Sequence, residues 1–178
     1  MSEFKVRELI LPDVFLIEFP RFFDERGSFS KFFHDEALAK LGIGFVPAET
    51  FFTRSASGVL RGMHFQVGPA EHVKLVCCTQ GSVLDVVVDI RLESCYFNQP
   101  VGIELNEKKP LALLIGKGYA HGFLSLDDNS TLLYATSTVH QPEFDCGVLW
   151  SSINFNWPIQ NPLISERDQK HPAISNRK

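Results

Sequence analysis

The sequence predicts a mainly β protein, a β jelly roll or sandwich with a few short helices, and three observations carry that expectation. Sixteen Phe, twelve Gly and ten Pro are spread so that short apolar runs alternate with turn residues, a pattern of many short strands rather than long helices. After Gly81 the chain alternates, with Val83, Asp85, Val87 and Asp89 on one side and Leu84, Val86, Val88 and Ile90 on the other, the period of a half-buried strand. The segments Leu111 to Gly116 and Ser130 to Ser137 read similarly. Regularly spaced strands close into a sandwich or barrel, and the jelly roll is the form that leaves an open-ended cavity for a small ligand.

The clearest helix signal is His34 to Gly42, with acids early and a glycine after the last apolar residue, long enough only for a flap or cover. From Trp157 the chain turns polar and proline-containing, although WPIQNPLISERD keeps apolar anchors. No repeat or low-complexity linker divides the sequence, and 178 residues suit one domain with a real core, so residues 1–178 read as a single domain.

A net charge of -4 with scattered basic residues lacks the electrostatic footprint of a nucleic-acid binder. Cys77, Cys78, Cys95 and Cys146 form no zinc-type pair, and adjacent Cys77 and Cys78 are poorly placed to bridge each other. They read as reduced thiols of a cytoplasmic protein. The start MSEFKVREL has no leader pattern, and no apolar run approaches the roughly 18 residues of a membrane span. The chain is therefore expected to be neither exported nor membrane-spanning.

The densest chemical cluster is SASGVLRGMHFQ, Ser55 to Gln66. Arg61 and His64 lie three positions apart on an apparent strand, facing opposite sides unless Gly62 marks a bulge. A histidine alone on a strand is commonly structural. Further on, Lys74, His121 and Tyr134 interrupt apolar strands, and such side chains seldom enter a core without partners. Lys74 reads either as a desolvated cation facing a ligand oxygen or as a lysine on a solvated face. Taken together, the set suits proton abstraction beside a carbonyl: a base near neutral pKa, an acid on the opposite face and a cation for the enolate. Epimerisation needs two proton handlers, because one group returning its own proton restores the starting configuration.

Four segments in order resemble the dTDP-4-dehydrorhamnose 3,5-epimerases: FFDERGSF at Phe22 to Phe29, RSASGVLRGMHFQ at Arg54 to Gln66, GYAHGFLSL at Gly118 to Leu126 and NPLISERD at Asn161 to Asp168. The resemblance implies a cupin-type jelly roll, a homodimer, a nucleotide-sugar substrate and no metal or redox cofactor. It also implies that His64 is the base, Asp168 orients its imidazole, Tyr134 is the proton donor and Lys74 faces the C4 carbonyl oxygen. Arg61 and Arg26 would hold phosphates or sugar, with Arg26 reaching in from the partner subunit, and His121 would be a further substrate contact; Asp145 is one more candidate for substrate binding.

The chain departs from the family pattern where the base and sugar are read. Lys31 stands where the family has Glu; Glu49 and Phe51 stand where it has Gln and Asn; Val139 and His140 replace a Tyr-Tyr pair. Thymine offers an N3–H donor, whereas cytosine offers an N3 acceptor and an N4 donor, so Lys31 and Glu49 point either to a cytidine nucleotide or to neutral change at the pocket edge. A 5- or 3-selective epimerase is the alternative within the class. Outside it stand a non-catalytic sugar-nucleotide binding module and a metal-dependent cupin. The latter's His-x-His pair is interrupted here as His64-Phe65-Gln66, which leaves Glu71, His72 and His121 as candidate ligands.

Overall fold

The computed structural model describes residues 3–175. The described residues form, in chain order, β1 (Lys5–Glu8), β2 (Val14–Glu18), β3 (Arg21–Asp24), β4 (Gly27–Ser30), α1 (Asp35–Ala39), β5 (Glu49–Ser55), β6 (Leu60–Gln66), β7 (Lys74–Gln80), β8 (Ser82–Asp89), β9 (Pro100–Asn106), β10 (Leu111–Ile115), β11 (Tyr119–Ser125), β12 (Ser130–Thr136), β13 (Asp145–Gly147) and α2 (Glu166–Gln169). One sheet has the order β1-β2-β10-β7-β12-β5, a second β13-β6-β11-β8-β9, and β3-β4 is a separate hairpin. The two larger sheets make the jelly-roll sandwich that the strand pattern predicts.

Alternation along each strand builds the core. Val76, Leu113 and Leu132 of the first sheet meet Val83, Val87 and Phe123 of the second. Their neighbours Leu75, Cys77, Leu114 and Ala135 point the other way and pack with Ile43, Phe45 and Leu38 of α1. That helix starts at His34, whose ring accepts a hydrogen bond from the Ala37 N–H, and carries Asp35 and Glu36 in its first turn, where acids suit the helix dipole. It is the cover expected from the sequence. Burial of Leu38 stabilises it by about 2 kcal/mol.

Strand β8 differs from the half-buried expectation. Both faces are covered, because Val86 and Val88 lie under Val148, Ile153, Phe155 and Trp157, a layer supplied by sequence 60 or more residues further along the chain. Its two acids are consequently fully buried and paired, Asp85 with His121 and Asp89 with Arg91 and Ser94.

At the contact of β6 with β11 the register shifts between His121 and Phe123. Gly62 sits there with φ +128°, and a Cβ on it would lie 2.6 Å from the Gly122 Cα. Only glycine fits so close an approach. This is the bulge that decides where Arg61 and His64 point.

Candidate active site

Between the sheets lies a cavity of about 380 Å³, to which β5 contributes Glu49 and Phe51, β6 Arg61 and His64, β7 Lys74, β11 His121, β12 Tyr134 and β13 Asp145. Because of the irregularity at Gly62, Arg61 and His64 share this cavity despite their spacing. Arg61 is held by Nε donating to Ser55 Oγ at 3.0 Å and Nη2 donating to the Arg54 carbonyl at 3.3 Å.

His64 Nε2 is 2.8 Å from Asp168 Oδ1. A carboxylate at that nitrogen favours the tautomer with its proton on Nε2, leaving Nδ1 with the lone pair. Asp168 comes from the polar tail, and local chemistry draws it in. The Leu163 N–H donates to the Gly58 carbonyl and the Leu60 N–H to the Leu163 carbonyl, each at 2.9 Å, pinning the tail beside β6. Ser165 then caps α2 by accepting from the Asp168 N–H, as an N-cap serine does from the third residue onward. Asp168 Oδ2 accepts the Gly62 N–H at 3.1 Å. Burial alone would raise the Asp168 carboxyl, but the hydrogen bond and charge of His64 and the Gly62 N–H outweigh it and hold it at about 2.

Lys74 is only 9% exposed, so it is the desolvated cation rather than a surface lysine. Burial pushes its ammonium down to about 8 against the opposing pull of Asp85 and Asp145. Tyr134 is buried, which drives its phenol well above the usual range, with the Asp85 charge adding to the effect; it is a neutral O–H at physiological pH. Its ring stacks on Phe51, centroids 4.7 Å apart and planes 12° off parallel, so Phe51 supplies an aromatic wall. His121 Nε2 lies 3.0 and 2.9 Å from the two Asp85 carboxylate oxygens. Burial lowers the His121 pKa, against the pull of Asp85.

Glu49 Oε2 accepts the His140 N–H at 2.7 Å, and Asp145 Oδ2 pairs with Arg167 at 2.6 Å. Two expected contacts do not line the cavity of their own chain. Arg26 caps the β3–β4 hairpin, highly exposed, and pairs with Asp24; Lys31 is exposed just after the hairpin, its N–H donating to the Pro20 carbonyl.

Sequence reasoning passed over Asp85, Arg167 and His171. Asp85 shares the phase of Val83 and Val87 along β8, so its inward direction was there to be read. Arg167 lines the cavity and His171 stands 3.5 Å from Asp168, but both ride on the tail, whose path no local pattern gives. The cupin metal candidates Glu71, His72 and His121 do not converge: His72 Nδ1 faces Gln66 Nε2 at 3.0 Å. Among the described residues the one His, Cys, Asp and Glu group with ligand atoms within 4.8 Å of each other is His64, Asp168 and His171, already joined by the hydrogen bond above.

A cavity of this make-up on a cupin-type jelly roll defines a class, the carbohydrate epimerases. A family model for dTDP-4-dehydrorhamnose 3,5-epimerase matches residues 8–176, and the chain belongs to that family. It is 41% identical over 165 residues to dTDP-4-dehydrorhamnose 3,5-epimerase of Escherichia coli (strain K12), covering 90% of this chain and 89% of the relative. The dTDP-4-dehydrorhamnose 3,5-epimerase of Bacillus anthracis, solved with TDP and PPi bound, superposes with TM-score 0.92 at 34% identity over 96% of this chain and 99% of that one. A 3'-monoepimerase of Streptomyces bikiniensis in complex with dTDP-quinovose superposes with TM-score 0.88 at 29% identity, over 93% of this chain and 86% of that one. Among the described residues no helix is long and apolar enough to cross a membrane.

Proposed function

We propose that this chain epimerises a nucleoside-diphosphate 4-keto-6-deoxyhexose, inverting C5 and C3 by deprotonation and reprotonation beside the C4 ketone. The observation that carries the reading is the 2.8 Å contact of His64 with Asp168 in the same cavity as buried Tyr134 and Lys74. The ketone makes the neighbouring C–H acidic. His64 Nδ1 takes that proton while Asp168 holds Nε2–H and the growing imidazolium charge. The electron pair left on carbon moves to the C4 oxygen, where the Lys74 ammonium opposes its charge. Tyr134 O–H then delivers a proton to the opposite face as the C4 carbonyl reforms. Arg61 and Arg167 are the guanidinium groups at the cavity suited to a diphosphate.

The nucleotide is dTDP in this reading, supported by relatives solved with TDP or dTDP-sugars. Lys31 gives no support to a cytidine pocket within one chain, since its side chain is exposed outside the cavity, and the carboxylate of Glu49 is already engaged by His140. A 3-selective outcome is the second reading, favoured by the likeness to a 3'-monoepimerase.

The working unit is a homodimer in which Arg26 serves the partner's cavity. Arg26 sits on a hairpin that exposes Phe23 (76%) and Phe29 (61%), apolar surface suited to a second copy. The free thiols of Cys77 and Cys78 fit a reducing, cytoplasmic setting.

Proton NMR in D₂O with dTDP-4-keto-6-deoxyglucose, and in parallel its CDP counterpart, tests the function. Deuterium entering at H5 and H3 of the dTDP sugar is the expected result. Exchange with the CDP sugar alone would overturn the nucleotide, exchange at H3 alone would establish the 3-selective reading, and no exchange with either would overturn the activity.

A further inference from the structure

Behind the base stands a second histidine that the mechanism above does not use. His171 Nε2 points at the Asp168 carboxylate, 3.5 Å from Oδ1, the oxygen that also faces His64. The two imidazoles meet edge to face, with centroids 5.6 Å apart and planes at 76°. His171 Nε2 is buried and has no hydrogen-bond partner, an uncommon state for a buried nitrogen and one that calls for a reason. The ring has a made seat. Position 147 on β13 is glycine, and any Cβ there would collide with the His171 imidazole, while the Pro172 carbonyl accepts the Leu149 N–H at 2.8 Å and fixes the chain just beyond it.

We propose that His171 is a positioning residue for the base: it shares the Asp168 carboxylate with His64 and thereby keeps His64 less basic than a two-membered His–Asp pair would be. The inference rests on His64 acting as the base in the reading above. Asp168 stabilises a protonated His64 through its negative charge, and any donor or positive charge on the same oxygen weakens that pull. His171 supplies one as an imidazolium or, when neutral, in the tautomer with its proton on Nε2, the one that a facing carboxylate favours. Burial lowers the His171 pKa, and the nearby charges of His64, Asp168, Arg167 and Asp145 act on it as well. The charged and titratable groups around it thus come from β6, α2 and β13: His64, Asp168, Arg167 and Asp145.

The functional consequence concerns the working pH. A base must be unprotonated to start the reaction, and its efficiency peaks when its pKa lies near the ambient pH. The ionised Asp168 carboxylate, 2.8 Å from His64 Nε2, is a strong local charge beside that base. His171, which does not line the cavity, tempers the pull of that charge.

The test is an NMR titration of the His64 imidazole in the full-length protein, its signal identified by its absence from His64→Gln. In His171→Phe, which keeps a ring against Gly147 but has no N–H, the His64 pKa rises by about one unit; His171→Leu serves if the larger ring does not seat. His171→Gln restores a donor near the Nε2 position and returns the value toward wild type. An unchanged or lowered His64 pKa in the Phe or Leu variant overturns the proposal, and so does an equal rise in His171→Gln. Because the titration needs no turnover, it stands apart from the sugar-exchange experiment: absent exchange in the wild type defeats the epimerase reading, whereas exchange with an unmoved His64 pKa defeats this inference alone.

Discussion

His64 Nε2 and Asp168 Oδ1 are 2.8 Å apart across 104 residues of sequence. The strand residue enters the cavity because of the irregularity at Gly62, and the tail residue reaches it from outside the cavity lining because Leu163 is stitched to Gly58 and Leu60. Neither feature alone makes a base. An imidazole without the carboxylate is free to choose its tautomer, and a carboxylate without the imidazole is a buried charge lacking its main partner. Asp168→Asn therefore lowers kcat on the order of 10²-fold while KM changes little, since the loss falls on proton transfer. Steady-state kinetics on the dTDP sugar checks the split.

Burying Lys74 beside the proposed reaction centre costs stability. Its ammonium is pushed from 10.5 to about 8 by burial, so between those values the unfolded chain binds more protons than the native one, and stability rises with pH across that window. Below about 8 the penalty is present in full. Lys74→Met abolishes turnover and at pH 7 gains up to about 3 kcal/mol of unfolding free energy, an advantage that shrinks as pH climbs from 8 to 10.5. Urea denaturation of both proteins at pH 7 and at high pH measures it.

Gly62 is predicted to be irreplaceable. With φ +128° and a Cβ falling 2.6 Å from the Gly122 backbone, Gly62→Ala must strain the residue or push β6 from β11. The expected loss is about 2 kcal/mol or more, with activity falling further because Arg61 and His64 turn with the strand. Thermal melts alongside kcat/KM separate the two effects.

The dimer reading makes a quantitative prediction. Arg26→Ala and His64→Ala homodimers are both defective, yet a mixed dimer has one cavity with its own His64 and the partner's Arg26 intact. Random pairing makes half the dimers mixed with one good site of two, so co-expressed variants recover about a quarter of wild-type activity. If Arg26 serves its own chain, mixing recovers nothing.

What the sequence reveals of this site tracks how local each cause is. Strand alternation and the short capped helix are local, and β7, β8, β10 and β12 and the α1 cover follow from them. Gly62 between Arg61 and His64 is a local sign of a bulge, which is how two residues of opposite phase come to share a cavity. The second covered face of β8 is not local, because Val148 to Trp157 supplies it from far along the chain. For the same reason Asp168 reads alone as a solvated tail residue, and only the family likeness singles it out. Arg167 and His171 travel with it unseen. Arg26 and Lys31 show the opposite case: motif position marks them, but their hairpin leads away from the cavity of the same chain.

In the proposed mechanism His64 removes the proton and Tyr134 returns one to the other face. Solvent deuterium incorporation into the sugar, followed by NMR for wild type, His64→Ala and Tyr134→Phe, tests it most directly. His64→Ala is expected to lose exchange together with turnover, whereas Tyr134→Phe still exchanges the proton next to the ketone but forms little inverted product. Exchange that survives in His64→Ala would contradict it.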